Sequence, residues 1–275
     1  NNFKESPALL DEYYNTYNNH HPLVSYQLGF HAEYTTNRSI MEAIAALAEK
    51  YKAPVYMHAS ETESEVQGCI GRYGMTPTAL FEQLGLWNYG GGAFHSVWVS
   101  NEDLNIYKKH GVYAVLNAGS NAKLASGIAP VEKMLQMGIP LAVGTDGPSS
   151  NNALDMFREM YLICVLQKLR EKNAAAADAN AILKAATAGS ARCMGLPEAD
   201  CIAPGKLADL TVIGLHRPNM QPINNITKNL VYSGAKTNVR LTMVDGRILY
   251  ENGRFLNADT DEIYKNAQAV IDRIR

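Results

Sequence analysis

Short apolar runs alternate with helix-like segments through most of the chain, and this alternation is the feature that most restricts its fold. Each of five such runs leads to a polar residue, namely His31, His58, His95, Asn117 and Asp146. The intervening segments carry helix signals: Thr76-Pro77 reads as an N-cap followed by proline at the first helical position. Because parallel strands need a helix-sized connection, the sequence predicts an α/β fold with a parallel sheet.

The polar residues that follow these strands predict an active site at one edge of the sheet. Both open α/β sheets and (β/α)₈ barrels carry their active sites at the carboxyl ends of the strands. No G-x-G-x-x-G follows the first predicted strand, so a dinucleotide-binding fold loses its main support.

Composition points to an ordinary globular chain. Of the 275 residues 47% are hydrophobic and 19% charged, and the formal net charge is −2. This balance excludes disorder and gives no reason to expect nucleic acid or an anionic membrane as partner. The longest apolar stretch, at 160–166, is far shorter than the roughly 20 residues of a membrane span. The four cysteines form no C-x-x-C pair, so we expect structural thiols in a reducing compartment. The first residues are polar, unlike a secretory signal, so we expect a cytoplasmic location.

The character of the sequence changes after about residue 200. Pro204-Gly205-Lys206 predicts a turn before an apolar strand, and Asp245-Gly246 predicts a type I′ turn between two strands. Residues 259–275 have the apolar spacing of a terminal helix. We therefore expect three parts: an α/β portion at 1–200, a small β-sandwich portion at 201–257, and a helix at 258–275.

Four of the strand-end residues and one neighbour could build a metal site. Three histidines, His31, His58 and His95, would lie near Asp146 at the carboxyl edge of the predicted sheet. Glu61 lies three positions after His58 and could face the same pocket. Histidine is the commonest metal ligand, and a carboxylate walled by apolar strands needs a cation or hydrogen bonds. Zinc bound by histidine and aspartate, with one position open for water, accounts for this set.

Each residue alone has a simpler interpretation. A lone strand-end histidine is more often a satisfied polar residue, Asp146 could cap the next helix, and Glu61 could be a first-turn helix carboxylate. Taken together, the simpler interpretations are less convincing than a shared site, because they would require several independent residues to fall by coincidence at the same end of one sheet.

Five segments, in order and spacing, resemble the amidohydrolase superfamily, in particular its branch of methylthioadenosine/S-adenosylhomocysteine deaminases and triazine chlorohydrolases. They are residues 55–62 (VYMHASET), 93–98 (AFHSVW), 121–127 (NAKLASG), 144–152 (GTDGPSSNN) and 204–210 (PGKLADL). The resemblance implies a (β/α)₈ metal-dependent hydrolase barrel, of which this chain would supply about the last five strands, plus part of a small β-sandwich.

The resemblance also assigns roles to individual residues. It implies that His58 and Asp146 are metal ligands, with zinc or iron as the single divalent metal of the site. Glu61 matches the proton-shuttling glutamate, and His95 matches the histidine that orients the attacking water. His31 and Asn121 match substrate-contacting positions.

Two residues depart from the family pattern. Glu33 stands where the family usually has proline, and Ser96 stands where it usually has cysteine. As neighbours of His31 and His95, both are expected beside the pocket, where they would bear on the identity of the substrate.

The implied reaction is the hydrolytic deamination of an adenosine-type purine such as 5'-methylthioadenosine or S-adenosylhomocysteine. A metal lowers the pKa of its bound water to about 7, Asp146 accepts a proton from that water, and Glu61 protonates the ring nitrogen before ammonia leaves. Alternatives within the superfamily are a chlorotriazine, guanine or another purine as substrate, since the same attack serves all of these.

The predicted site is incomplete in this chain. The family's remaining metal ligands form a His-x-His motif, and no such motif occurs here. A closed barrel also needs eight strands. We therefore expect the chain to represent the C-terminal two-thirds of an enzyme, to bind metal weakly and to be inactive alone. The other hypothesis is a non-catalytic assembly partner, and an exposed sheet edge favours homo-oligomers in either case.

Overall fold

A computed structural model describes residues 7–274, so the outer ends of the predicted parts, at 1–6 and 275, lie outside it. Its larger sheet has five parallel strands in the order β1-β2-β3-β4-β5. They are Leu28–Gly29 (β1), Val55–Ala59 (β2), Gly91–His95 (β3), Tyr113–Leu116 (β4) and Leu141–Val143 (β5). The predicted α/β class with a parallel sheet is therefore confirmed.

Helices connect and flank these strands as the sequence predicts. They are Pro7–Asn18 (α1), Arg38–Tyr51 (α2), Glu63–Tyr73 (α3), Pro77–Gln83 (α4), Asn101–His110 (α5), Ala118–Lys123 (α6), Val131–Met137 (α7), Pro148–Asn151 (α8), Met156–Glu171 (α9), Ala179–Lys184 (α10) and Ser190–Cys193 (α11). A π-helical turn at Ala185–Gly189 joins the last two. Thr76 caps α4 with Pro77 at its first position, as expected from the sequence.

The core lies between the parallel sheet and the helices that cover it. Its largest fully buried side chains include Trp87, Tyr107, Phe81, Met41 and Ile44. On α2, Met41 and Ile44 belong to one buried face, whose residues have the 3.6-residue spacing of a helix. Burial of this face fixes the helices against the sheet, which in turn fixes the carboxyl ends of the strands.

Three of the apolar runs that lead to the strand-end polar residues, at 23–30, 111–116 and 139–145, are longer than the strands they form. The run at 23–30 contributes only Leu28–Gly29, because Leu23 and Val24 are exposed at the surface. The run at 139–145 contributes Leu141–Val143. An apolar run marks burial, whereas a strand also needs a hydrogen-bonded partner along its length.

The second sheet follows the first along the chain. Its four antiparallel strands are Leu210–Ile213 (β6), Val239–Val244 (β7), Arg247–Glu251 (β8) and Arg254–Phe255 (β9), and α12 spans Ile226–Tyr232. Asp245 and Gly246, between β7 and β8, both have positive φ, as a type I′ turn requires. The terminal helix α13 spans Thr260–Ile274, and its apolar side chains are exposed.

The described helices were also compared with the requirements of a membrane span. None of them combines the length and the hydropathy that crossing a bilayer requires.

Candidate active site

Three predicted site residues converge at the carboxyl edge of the parallel sheet. His58 lies in β2, His95 ends β3, and Asp146 follows β5. One ligand atom from each of the three lies within 4.8 Å of the other two, a spacing that could hold a metal ion. The sheet register thus brings together side chains that are up to 88 positions apart in the sequence (146 − 58).

His58 is held in one tautomer by the backbone. Its Nδ1 lies 2.7 Å from the carbonyl oxygen of His31, and because a carbonyl only accepts, Nδ1 must donate. The lone pair is therefore on Nε2, the form that binds a metal. Burial lowers the pKa of His58, and the neighbouring His95 ring lowers it further. The imidazole is consequently neutral at pH 7.

His95 is buried and has one nitrogen in a hydrogen bond. Its Nδ1 lies 2.7 Å from Oδ1 of Asn121, so Nδ1 is the donor. Its Nε2 is buried and has no hydrogen-bond partner among residues 7–274. The nearest carboxylate oxygen, Oε2 of Glu61, lies 3.7 Å from this nitrogen. Nε2 of His95 therefore faces the same space as Glu61 and the ligand atoms of His58 and Asp146.

Asp146 is held by two serine hydroxyls. Ser120 Oγ and Ser150 Oγ each donate to Asp146 Oδ2 at 2.6 Å. Burial acts to raise the pKa of this carboxyl, but these bonds and a backbone N–H from Gly147 outweigh it and hold the pKa below its usual range. The N-cap residue of α8 is Gly147, so the interpretation of Asp146 as that helix's cap is not supported.

Glu61 lies between β2 and α3, outside the first turn of the helix, because α3 begins at Glu63 with Thr62 as its N-cap. Its carboxylate Oε1 accepts a hydrogen bond of 2.9 Å from Ser126 Oγ. Its backbone N–H donates to Oε2 of Glu65 at 2.7 Å, and the N–H of Ser60 donates to Oε1 of Glu65 at 2.9 Å. Glu65 therefore fixes the backbone that carries Glu61.

The two predicted substrate contacts occupy different environments. His31 is exposed at the same edge, with its ring centroid 4.4 Å from that of His58. Asn121 is buried, and its side-chain oxygen is engaged by His95. Contact of either residue with a substrate stays a prediction.

The side chains of Glu33 and Ser96 are buried and point toward Arg72 and Tyr107, and whether the two positions bear on the substrate stays a prediction. Glu33 is only 1% exposed, and its carboxylate forms a bidentate ion pair with Arg72, with Nε–Oε1 at 2.9 Å and Nη2–Oε2 at 2.5 Å. Ser96 Oγ donates to the carbonyl of Ala93 at 3.2 Å and lies 3.2 Å from Tyr107 Oη. Arg72 and Tyr107 thus fix the directions of these two side chains.

The backbone is strained at residues that lie at or just after the carboxyl ends of β2, β3 and β5. Ser60, His95, Ser96 and Asp146 all have φ between 50° and 71°, in the left-handed region. Such conformations cost of order 1–3 kcal/mol each and persist only where the surroundings enforce them. Here, backbone hydrogen bonds from Val97 and Trp98 to the carbonyl of Ser60 hold two of the strand ends together. Four of the eleven non-glycine residues with positive φ in the described part of the chain thus lie at the candidate site.

A divalent metal fits the residues present. His58 offers a neutral Nε2, Asp146 is ionised at neutral pH, and the orphaned Nε2 of His95 faces the same space. Imidazole and carboxylate are the ligands that zinc takes in catalytic sites.

Sequence reasoning missed the residues that hold the candidate site in place. They are Ser120 and Ser150 on Asp146, Ser126 and Glu65 on Glu61, and the buried Glu159, which accepts from Gly119 N–H at 2.8 Å. Gly119 is required there, because a Cβ at this position would lie 2.3 Å from Oε1 of Glu159. Hydroxyls and a buried glutamate have no periodic signal that could mark them.

Known proteins share much of the sequence and fold of this chain. A model of the amidohydrolase family matches residues 5–249. A 5-methylthioadenosine/S-adenosylhomocysteine deaminase of Pyrococcus furiosus is 39% identical over 251 residues, which cover 91% of this chain and 60% of that protein.

Two solved structures are similar in fold and in sequence. An adenosine deaminase from Xanthomonas campestris with bound zinc has a TM-score of 0.93 and 33% identity, covering 98% of this chain and 61% of that one. An atrazine chlorohydrolase from Arthrobacter aurescens complexed with zinc has a TM-score of 0.90 and 25% identity, covering 96% and 59%. This chain thus spans about 60% of the length of the relatives it matches.

Proposed function

Because the chain belongs to the amidohydrolase family, we propose that the whole protein is a metal-dependent hydrolytic deaminase of an adenosine-type purine. The observation that carries this proposal is the convergence of His58, His95 and Asp146 within 4.8 Å, with the Glu61 carboxylate beside them. This arrangement offers metal ligands and a proton carrier in one space, as hydrolysis of a ring-bound amino group requires.

His58 and Asp146 would hold one divalent metal, zinc in the first place and iron as the alternative. The zinc in both solved neighbours supports this assignment. When bound, the metal supplies a nucleophile at neutral pH by lowering the pKa of its water to about 7.

The residues of this chain would then act on substrate and water. Asp146, kept ionised by Ser120 and Ser150, takes a proton from the attacking water. Nε2 of His95 orients that water and steadies the charge that develops on its oxygen. Glu61 gives a proton to the ring nitrogen next to the attacked carbon. Asp146 then passes the proton it took from water to the amino group, which leaves as ammonia, while the new hydroxyl returns its proton to Glu61 and becomes the ring carbonyl.

His31 and Asn121 complete the proposal as substrate contacts. The exposed position of His31 at the mouth supports direct contact with a purine or another heteroaromatic ring. Asn121 accepts a hydrogen bond from His95. This position beside the candidate site supports a contact between substrate and the part of α6 that carries Asn121. 5'-Methylthioadenosine and S-adenosylhomocysteine are the favoured substrates, on the strength of the Pyrococcus furiosus relative.

The similarity to atrazine chlorohydrolase favours one second candidate function. The same attack on a triazine carbon would release chloride instead of ammonia. Guanine as substrate and a non-catalytic role in an assembly are the remaining candidates.

The experiment uses the whole protein, with any residues that precede or follow this chain, purified and loaded with zinc. Ammonia release from 5'-methylthioadenosine and S-adenosylhomocysteine is measured beside chloride release from atrazine, and Glu61→Gln serves as the matched variant, expected to lose roughly 10²–10⁴-fold in rate. Ammonia release that depends on Glu61 supports the deaminase. Chloride release alone supports the second candidate, and no turnover with bound zinc contradicts both.

The division into a barrel portion at 1–200, a β-sandwich portion at 201–257 and a terminal helix at 258–275 belongs to the same proposal. A barrel portion of five parallel strands followed by an antiparallel sheet supports it. The homo-oligomeric state and the cytoplasmic location stay predictions.

A further inference from the structure

One short segment, residues 117–127, contacts all three of the proposed proton-handling residues. Ser120 donates to Asp146, Asn121 accepts from His95, and Ser126 donates to Glu61. The contacts to Asp146 and His95 hold side chains whose geometry the strands already restrict. The contact to Glu61 is different, because Asp146 also accepts from Ser150 and His95 belongs to β3, whereas Glu61 lies on a loop and its carboxylate accepts from the Ser126 hydroxyl.

We propose that Ser126 is a positioning residue that aligns the Glu61 carboxylate for proton transfer and leaves Oε2 as the oxygen that carries the proton. This inference rests on the proposed function. The hydroxyl of Ser126 donates to Oε1 at 2.9 Å. Oε2 is the oxygen that faces His95, 3.7 Å from its Nε2.

The chemistry of the hydrogen bond selects the oxygen. An oxygen that accepts from a hydroxyl is stabilised as the unprotonated member of a carboxyl group. A proton on Glu61 therefore settles on the other oxygen, Oε2. A general acid is efficient only when the oxygen bearing its proton is within reach of the receiving atom, so a fixed choice of oxygen matters for the rate.

Ser126 is itself held rigidly. Its side chain is buried, its N–H donates to the carbonyl of Asn121 at 2.9 Å, and its carbonyl accepts from Nε1 of Trp98 at 2.8 Å. Gly127 has φ of 125°, and a Cβ there would lie 2.8 Å from Cγ1 of Val97. The turn is thus pressed against the segment that follows His95, and the hydroxyl has little freedom to leave Glu61.

The other end of Glu61 is fixed independently. Its backbone N–H donates to Glu65, so the main chain is placed without help from Ser126. Removal of the Ser126 hydroxyl should consequently free the carboxylate to rotate while leaving the loop in place. The effect should fall on catalysis rather than on substrate binding.

The test is a double-mutant cycle in the zinc-loaded whole protein, with kcat and KM measured separately on 5'-methylthioadenosine. Its variants are Ser126→Ala, Glu61→Gln and the two combined. A general acid contributes roughly 10²–10⁴-fold to the rate, and we expect Ser126→Ala to lower kcat by about tenfold or more with KM changed by less than about twofold. In the Glu61→Gln background, the same change should lower kcat by less than about twofold, since residues that act as a unit are not additive.

Two further variants separate positioning from general damage. Ser126→Thr keeps the hydroxyl and should restore most of kcat. Thr78→Val removes another buried hydroxyl, one that donates to Tyr107 Oη away from the candidate site, and should leave kcat near that of the wild type. If Ser126→Ala does not fold, Trp98→Phe removes the N–H that holds the Ser126 carbonyl and should lower kcat only when Glu61 is intact.

The outcomes distinguish this inference from the proposed function. A wild type that releases no ammonia overturns the proposed function and this inference with it. An active wild type whose kcat falls equally with and without Glu61, or does not fall, overturns the inference alone.

Discussion

Nδ1 of His95 lies 2.7 Å from Oδ1 of Asn121, and this contact directs Nε2 of a buried histidine into the candidate site. Asn121 belongs to α6 and His95 to β3, so the two meet only through the packing of one βα unit against the next. A single amide oxygen thereby decides which nitrogen of the imidazole is available for chemistry.

Asn121→Ala should lower kcat/KM of the whole protein by about 10–100-fold, the usual loss when the partner that orients a site histidine is removed. The imidazole would then be free to change its tautomer and orientation. Steady-state kinetics measures the effect, and Asn105→Ala, at an exposed position of α5, is the matched control. Equal activity of the two variants would contradict the role of Asn121.

Asp146→Asn should lower the zinc content of the whole protein by roughly tenfold or more at limiting zinc, because the amide replaces an anionic ligand. Metal analysis after gel filtration gives the content directly. Asp155→Asn is the control, since Asp155 caps α9 and asparagine caps helices equally well. The 275-residue chain alone should also bind zinc weakly, and stoichiometric zinc in it would contradict this.

Glu65→Gln should destabilise the protein by about 1–3 kcal/mol, the cost of a buried polar group without a partner. The two oxygens of Glu65 accept from the N–H groups of Ser60 and Glu61, and glutamine offers only one oxygen. Urea unfolding measures the loss. Glu63→Gln, at an exposed position of the same helix, should cost little, and a similar loss in both would contradict the explanation.

Glu159 should make stability depend on pH. Burial raises its pKa, although bonds from Gly119 and Asn151 act in the opposite direction. Because the folded-state pKa lies above the ordinary value of about 4.3, the stability that the protonated form contributes is complete below that value. It is lost as the pH rises through the raised folded-state pKa.

The measurement for Glu159 compares urea unfolding of the wild type and Glu159→Gln at several pH values between about 4 and 7. The wild type should lose stability relative to the variant as the pH rises. Glu63→Gln provides a reference for an exposed carboxyl. A difference between wild type and Glu159→Gln that stays constant with pH would show that Glu159 does not titrate in this window.

Arg72→Ala should cost about 1–3 kcal/mol, because it leaves the buried carboxylate of Glu33 without its partner. Arg38→Ala is the matched control: it breaks an ion pair with Glu42 in which both side chains are about half exposed. Such exposed pairs contribute roughly 0.5 kcal/mol or less. Equal losses in urea unfolding would mean that burial of Glu33 does not set the strength of its pair.

The sequence by itself determined the order of strands and helices and the edge at which His31, His58, His95 and Asp146 would meet. It did so because the apolar period of each segment and the polar residue that ends it are local properties. It also determined the turn at Asp245-Gly246, since few residues adopt positive φ at two successive positions.

Only the tertiary structure decided what holds that edge in place. Ser126 and Glu61 are 65 positions apart, and Ser120 and Asp146 are 26 apart, so no local pattern links them. The directions of Glu33 and Ser96 were likewise set by Arg72 and by the core around Tyr107. Hydrogen bonds are short and directional, and their partners are fixed only when the loops above the sheet have packed against one another.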